Sequence, residues 1–181
     1  GLKPIKINSV IIRGFNDHEI IDLSEWALQN DLHLRFIEFM PVNDSTFPFK
    51  DGFVSSDEIT GRLFSHFDGM VKAGRNGSGP AESWVIPSSR GSVGVIEAVS
   101  HSFCGTCNRL RLTADGKLKP CLFSEDEIDL KPALRSPSQS ASERMAETGR
   151  LMRLAADRKP ASHGSFEGAI HAGRFMNEIG G

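Results

Sequence analysis

The chain has no apolar run near the roughly 18 residues that a membrane-spanning helix needs. Its opening Gly1-Leu2-Lys3-Pro4 lacks the charged and apolar regions of a secretory leader. A membrane protein is therefore not expected, and a cytoplasmic setting is. Charge of one sign is scarce as well: 21 Lys and Arg against 23 Asp and Glu leave −2 at pH 7. No global field draws such a chain to nucleic acid or to an anionic membrane, so any anion site has to be local. Internal repeats are absent. Cysteine is limited to Cys104, Cys107 and Cys121. An odd, clustered set argues against a disulfide framework and for metal ligation in a reducing compartment.

What is present suffices for one domain with a real core, or one domain with a terminal extension: 181 residues, 39% hydrophobic. Residues 6–13 are β-branched and apolar at their centre, as in a buried strand, and Gly14-Phe15-Asn16-Asp17 supplies a turn whose Asp17 can cap a helix. Ile20, Ile21, Leu23, Trp26 and Ala27 recur at helical spacing through residues 19–30, and residues 34–39 read as the next strand. A β-α-β unit of this kind predicts parallel strands with a right-handed crossover. Function is then expected at the carboxyl ends of the strands, where Met40 lies. Ser55 and Glu58 form a capping box opening a helix with Ile59, Leu63, Phe64 and Phe67 on its apolar side. After a Gly/Ser-rich loop at 74–80, residues 84–86 and 93–96 look like short strands and not another crossover pair. The architecture is thus expected to change near residue 80, giving parts 1–80, 81–158 and a tail 159–181. In the middle part, residues 109–113 and 117–123 predict a hairpin around Asp115-Gly116, and residues 125–135 and 143–157 predict helices.

Cys104 and Cys107 are two residues apart, so both thiolates can reach one ion from a tight turn, and the 114–116 turn can fold Cys121 back beside them. Three ligands do not close a tetrahedron. The fourth position is either a histidine, such as His101 or His163 in a structural zinc site, or open to a substrate atom. Arg109 and Arg111 stand at alternate positions of the expected strand, where both can fork onto a phosphate; otherwise they are solvated charges on a strand edge. Lys6 opens the first strand, a place where lysines ordinarily face solvent. Arg35 lies in an apolar strand and needs an anionic partner, for which Glu38 is the internal candidate. Met40 alone reads as a packing residue. The terminal Gly180-Gly181 is either a frayed end or a pair able to thread a channel too narrow for side chains.

The segment 103–123, together with Pro4-Ile5-Lys6-Ile7-Asn8, Gly14-Phe15-Asn16-Asp17, Arg35-Phe36-Ile37-Glu38-Phe39-Met40-Pro41, Lys159-Pro160-Ala161-Ser162-His163 and Ile179-Gly180-Gly181, resembles the molybdenum-cofactor biosynthesis protein A family. These are the radical S-adenosylmethionine enzymes called GTP 3',8-cyclases, and the resemblance is to their carboxy-terminal part. It implies an α/β fold: part of an incomplete (β/α) TIM-type barrel followed by a carboxy-terminal α+β iron-sulfur region. It implies a [4Fe-4S] cluster held by Cys104, Cys107 and Cys121 on the substrate side, its open iron facing the purine. It also implies GTP contacts at Lys6, Arg35, Arg109, Leu110 and Arg111, an S-adenosylmethionine contact at Met40, and an active-site role for Gly180 and Gly181. The family's amino-terminal Cys-x3-Cys-x2-Cys motif has no counterpart among the three cysteines. The expectation is a chain inactive alone, completed by a companion barrel half or dimerising through an unpaired first strand. The alternative is a non-catalytic zinc- or iron-sulfur-binding module.

Overall fold

The computed structural model describes residues 2–42, 48–73, 79–163, 174 and 178–179. The expectations for Gly180 and Gly181 fall outside them. The chain divides into two compact units, residues 1–40 with 46–103, and residues 41–45 with 104–181. Among the described residues no helix is long and apolar enough to cross a membrane.

In the first unit, β1 (Ile5–Ile11), α1 (Ile20–Gln29) and β2 (Leu32–Glu38) form the expected β-α-β unit, with β1 and β2 parallel. A short α2 (Phe49–Gly52) and α3 (Ser56–His66) follow, then β3 (Val71–Lys72), β4 (Glu82–Val85) and β5 (Ser92–Ile96). The sheet order is β1-β2-β5-β4-β3. Strand β5 lies parallel to β2, and β4 and β3 add antiparallel strands outside it. Residues 82–85 and 92–96 thus complete the first sheet, with β5 returning as a second parallel partner after α3. Its sequence Ser-Val-Gly-Val-Ile is buried throughout, as a central strand requires. The first unit runs through Phe103.

Period two divides the side chains of this sheet between its faces. Leu34, Phe36, Val93 and Val95 join Ile20, Ala27 and Leu28 of α1 and Ile59 and Leu63 of α3 in one buried core. Each large apolar side chain sealed there contributes about 1.5–3 kcal/mol. The register pairs Lys6 with His33, Asn8 with Arg35, His33 with Ser92 and Arg35 with Gly94, so the opposite face is polar.

Helix α3 begins with Ser55 Oγ accepting from Glu58 N at 3.2 Å. The Glu58 carboxylate is engaged by Arg13 at 2.5 Å and Arg62 at 2.6 Å, so it serves the neighbouring turn and not a reciprocal box. Asp17 does not cap α1; it accepts from Gly14 N at 2.7 Å and receives Arg62, closing the turn after β1.

The second unit carries a three-stranded antiparallel sheet, β6 (Arg111–Leu112), β7 (Lys117–Lys119) and β8 (Ile128–Asp129), with helices α4 (Lys131–Arg135) and α5 (Ala141–Asp157). Where a helix was expected over 125–135, Ile128 instead pairs with Leu118, Asp129 Oδ1 accepts from Lys131 N at 2.9 Å, and Pro132 occupies the first turn of a five-residue helix. Helix α5 has a full capping box, Ser140 with Glu143. Its Ala155 is completely buried against Leu118, Ile128 and Leu130, fixing the helix to the sheet. The architecture is mixed α/β with two open sheets.

Candidate cationic pocket and thiolate site

On the polar face of the first unit, Pro4, Lys6, His33, Leu34, Arg35, Ser83 and Ser92 line a cavity of about 240 Å³. Lys6 and Arg35 come from adjacent parallel strands and reach this one pocket because both stand on the face away from α1 and α3. His33 Nδ1 is 2.7 Å from Ser92 Oγ, a pairing that sequence reading missed and that the β2–β5 register creates. Gly94 lets β4 approach closely: a Cβ there would fall 2.8 Å from Glu82 O and 3.0 Å from Ser83 Oγ.

Glu38 is not the counter-ion of Arg35. Three positions apart in a strand, the two side chains leave opposite faces. The Glu38 carboxylate is fully buried and accepts from Ser56 N at 2.6 Å, Val99 N at 2.7 Å and Ser100 N at 2.9 Å. It therefore joins the end of β2 to the start of α3 and the segment after β5, satisfying backbone donors otherwise orphaned. Met40 lies half-buried two residues beyond that strand end.

His101, a candidate fourth ligand, sits in the first unit with Nε2 3.3 Å from Asp57, which pulls its pKa above the ordinary imidazole value. Burial pushes the nearby Glu97 carboxyl up.

In the second unit, Cys104–Thr106 form a 3-10 turn closed by Cys107 N donating to Cys104 O at 3.1 Å. The hairpin returns through Thr113, whose backbone donates to Lys117 O at 2.8 Å, and Gly116, whose φ of +83° suits the glycine there. All three cysteines are free and partly exposed. Burial raises the Cys107 thiol, but the Arg109 backbone N–H and the Lys159 ammonium outweigh it and leave the pKa below the ordinary thiol range. Burial, then the adjacent Arg109 guanidinium, lower the pKa of Arg111, while the thiols of Cys121 and Cys107 oppose them. Arg109, Arg111, Cys107 and Cys121 therefore act on one another electrostatically. Among the described residues, Arg111 has no carboxylate partner. The strand is shorter than expected and excludes Arg109. Leu110 packs on the apolar cluster of Leu118 and Ile128, leaving its main chain as what it can offer a ligand.

Lys159 is the residue that sequence reading left without a role. Its Nζ donates to Arg109 O at 2.8 Å and Pro120 O at 2.9 Å. His163 lies with its ring 5.0 Å from that of Phe123.

The donor chemistry fits a thiolate-held metal group: three free thiols, with Lys159 and Arg109 acting on Cys107, and Arg111 influenced by Cys107 and Cys121. Among the described residues, however, no group of three or more His, Cys, Asp or Glu side chains is gathered to hold an ion.

Residues 32–165 match the family model described as Molybdenum Cofactor Synthesis C. The chain is 36% identical over 181 residues to a GTP 3',8-cyclase of Petrotoga mobilis and 41% identical over 181 residues to that of Moorella thermoacetica, covering 100% of this chain and 54% of each relative. Against the GTP 3',8-cyclase of Gloeobacter violaceus it is 38% identical over 186 residues, again with 100% of this chain and 55% of the relative. The chain thus spans about half the length of the curated relatives it matches. With most of its length inside the family model and all of it aligned to these cyclases, the chain belongs to the Molybdenum Cofactor Synthesis C family, consistent with the carboxy-terminal part of molybdenum cofactor biosynthesis protein A.

Proposed function

We propose that this chain is the carboxy-terminal portion of a GTP 3',8-cyclase acting in molybdenum cofactor biosynthesis, and that it works only with a companion portion that completes an incomplete (β/α) barrel. The observation that carries this reading is Arg111. It is partly buried, with no carboxylate partner among the described residues, and it feels the charge of the Arg109 guanidinium and, in the opposite sense, the thiols of Cys121 and Cys107. Keeping the Arg111 charge in a partly desolvated place without a carboxylate is costly unless an anion arrives to pair with it. A triphosphate meets that requirement, and the fork geometry of guanidinium suits it.

Arg109 and Arg111 accordingly hold the phosphates, with the main chain of Leu110 between them. Lys6 and Arg35 supply the cationic lining of the first unit's pocket and are further candidate contacts to GTP. Met40, at the carboxyl end of β2, contacts S-adenosylmethionine, and Gly180-Gly181 complete the site.

Cys104, Cys107 and Cys121 would be the residues that hold a [4Fe-4S] cluster on the substrate side. In the complete enzyme, the bound cofactors supply radical chemistry that joins the ribose 3' carbon to C8 of guanine, giving 3',8-cyclo-7,8-dihydro-GTP. The residues of this chain orient the two ends of the nucleotide and shield the reacting carbons from solvent.

The test is anaerobic reconstitution followed by iron, sulfide and zinc analysis and a visible spectrum with and without GTP. About four irons per chain and a GTP-dependent spectral change are expected. One zinc, no iron and no response to GTP would make the chain a structural metal module.

A further inference from the structure

We propose that Lys159 is the positioning residue of the thiolate site, a clamp that fixes the distance between the arm leaving Cys107 and the arm entering Cys121. The proposal rests on the reading of the three cysteines as cluster ligands. Arg109 lies two residues after Cys107 and Pro120 one residue before Cys121, and the Lys159 ammonium donates to the carbonyl of each, at 2.8 and 2.9 Å. A third N–H remains on an ammonium that has three, and the Cys107 thiol lies within reach of it. Two of the three donors are thus directed at carbonyls of the two arms of the cysteine segment.

The clamp is itself held in place. Lys159 follows α5, and its backbone N–H donates to Ala156 O at 3.1 Å. One residue earlier, the fully buried Ala155 packs the same helix onto Leu118 and Ile128 of the hairpin sheet. The ammonium therefore reaches the arms from a support that is anchored to the same sheet. Pro120 is also buried, so its carbonyl lacks easy access to water and depends on this donor.

Two consequences separate this role from ordinary packing. A cation beside a thiolate favours the reduced, more negative state of a bound cluster, so removing it shifts the reduction potential downward. A second cation of similar reach restores both the bridge and the charge.

The experiment compares the wild-type chain with Lys159→Met and Lys159→Arg, checking the fold of each by circular dichroism. Iron retention against a chelator and the cluster's reduction potential are measured after anaerobic reconstitution, and hydrogen exchange over residues 104–123 is measured in the metal-free chains. Lys159→Met is expected to retain iron about 10-fold less well, to show a lower potential, and to lose amide protection in both arms; Lys159→Arg is expected to recover all three. Wild-type iron retention and potential in Lys159→Met, or arms equally protected without the ammonium, would overturn the clamp. So would equal failure of the methionine and arginine variants. Should the wild type bind no iron while the exchange pattern still follows the ammonium, the cluster reading fails and the clamp of the two arms stands.

Discussion

A buried and a partly buried charge in this chain are handled in opposite ways, and the contrast makes separate predictions for stability and for binding. Glu38 is fully buried with three backbone N–H groups on its carboxylate. Glu38→Ala strands those donors, each costing about 1–3 kcal/mol when left unmet, so a loss of about 3 kcal/mol or more is expected in urea unfolding. A change below about 1 kcal/mol would show that water replaces the carboxylate without penalty. Among the described residues Arg111 has no such partner, so the same truncation is expected to act on binding. Arg111→Ala is expected to retain the fold while weakening GTP binding to the reconstituted chain about 10–100-fold, the value of a lost charge-assisted pair. Arg111→Lys should recover only part, since a point charge does not reproduce the fork. Equal affinity in calorimetric titrations of all three proteins would remove Arg111 from the nucleotide site.

At the scale of elements, the hairpin that carries the cysteine arms is bound by ions to a distant residue. Arg174 forks onto Glu127 and also reaches Asp115 Oδ2 at 2.8 Å, while Lys117 and the buried Lys119 approach Glu127 at 3.1 and 3.5 Å. Arg174, with burial opposing, lowers Glu127 from 4.5 to about 2, and Thr113 and Arg174 lower Asp115 from 3.8 to about 2. Because both folded values are depressed, the network stabilises fully above the unfolded values and is lost as pH falls through the folded ones. Chemical denaturation at pH 6, 4, 3 and 2 should therefore show stability falling between about pH 5 and 2. Arg174→Gln should fall less steeply over the same window. Parallel profiles for the two proteins would mean that the ion pairs add nothing to folding. This network and the Lys159 clamp show where sequence reading stopped. Local periodicity exposed the β-α-β unit, and the spacing of Cys104, Cys107, Arg109 and Arg111 exposed the candidate site. The contacts of Lys159 span 50 and 39 positions, and those of Arg174 span 47 and 59, beyond any periodic signal. Strand β8 escaped because two residues carry too little pattern, and its identity depends on Ile128 meeting Leu118. The return of β5 to β2 depended likewise on a pairing that the chain makes only after α3, β3 and β4.

For the whole chain, the two edges of the first sheet make different demands. The β3 edge is only two residues long and carries Lys72, paired with Glu82 at 3.0 Å, a combination that discourages further strand addition. The β1 edge is seven residues long, and its Ile5 and Val10 remain 49% and 40% exposed. Among the described residues no further strand pairs with this long edge, and such an edge recruits another strand, from another polypeptide or from a second copy of the chain. Because the polar face carrying Lys6 and Arg35 adjoins that edge, whatever pairs there would also extend the wall beside the cationic pocket. Sedimentation velocity on the isolated chain should therefore show association that rises with concentration. Placing lysine at both Ile5 and Val10 should return the chain to monomer, since charged edges resist pairing, and should leave the helix-backed core of Leu34, Phe36 and Val93 intact. A chain that stays monomeric at every concentration, with or without those lysines, would show that β1 needs no neighbour.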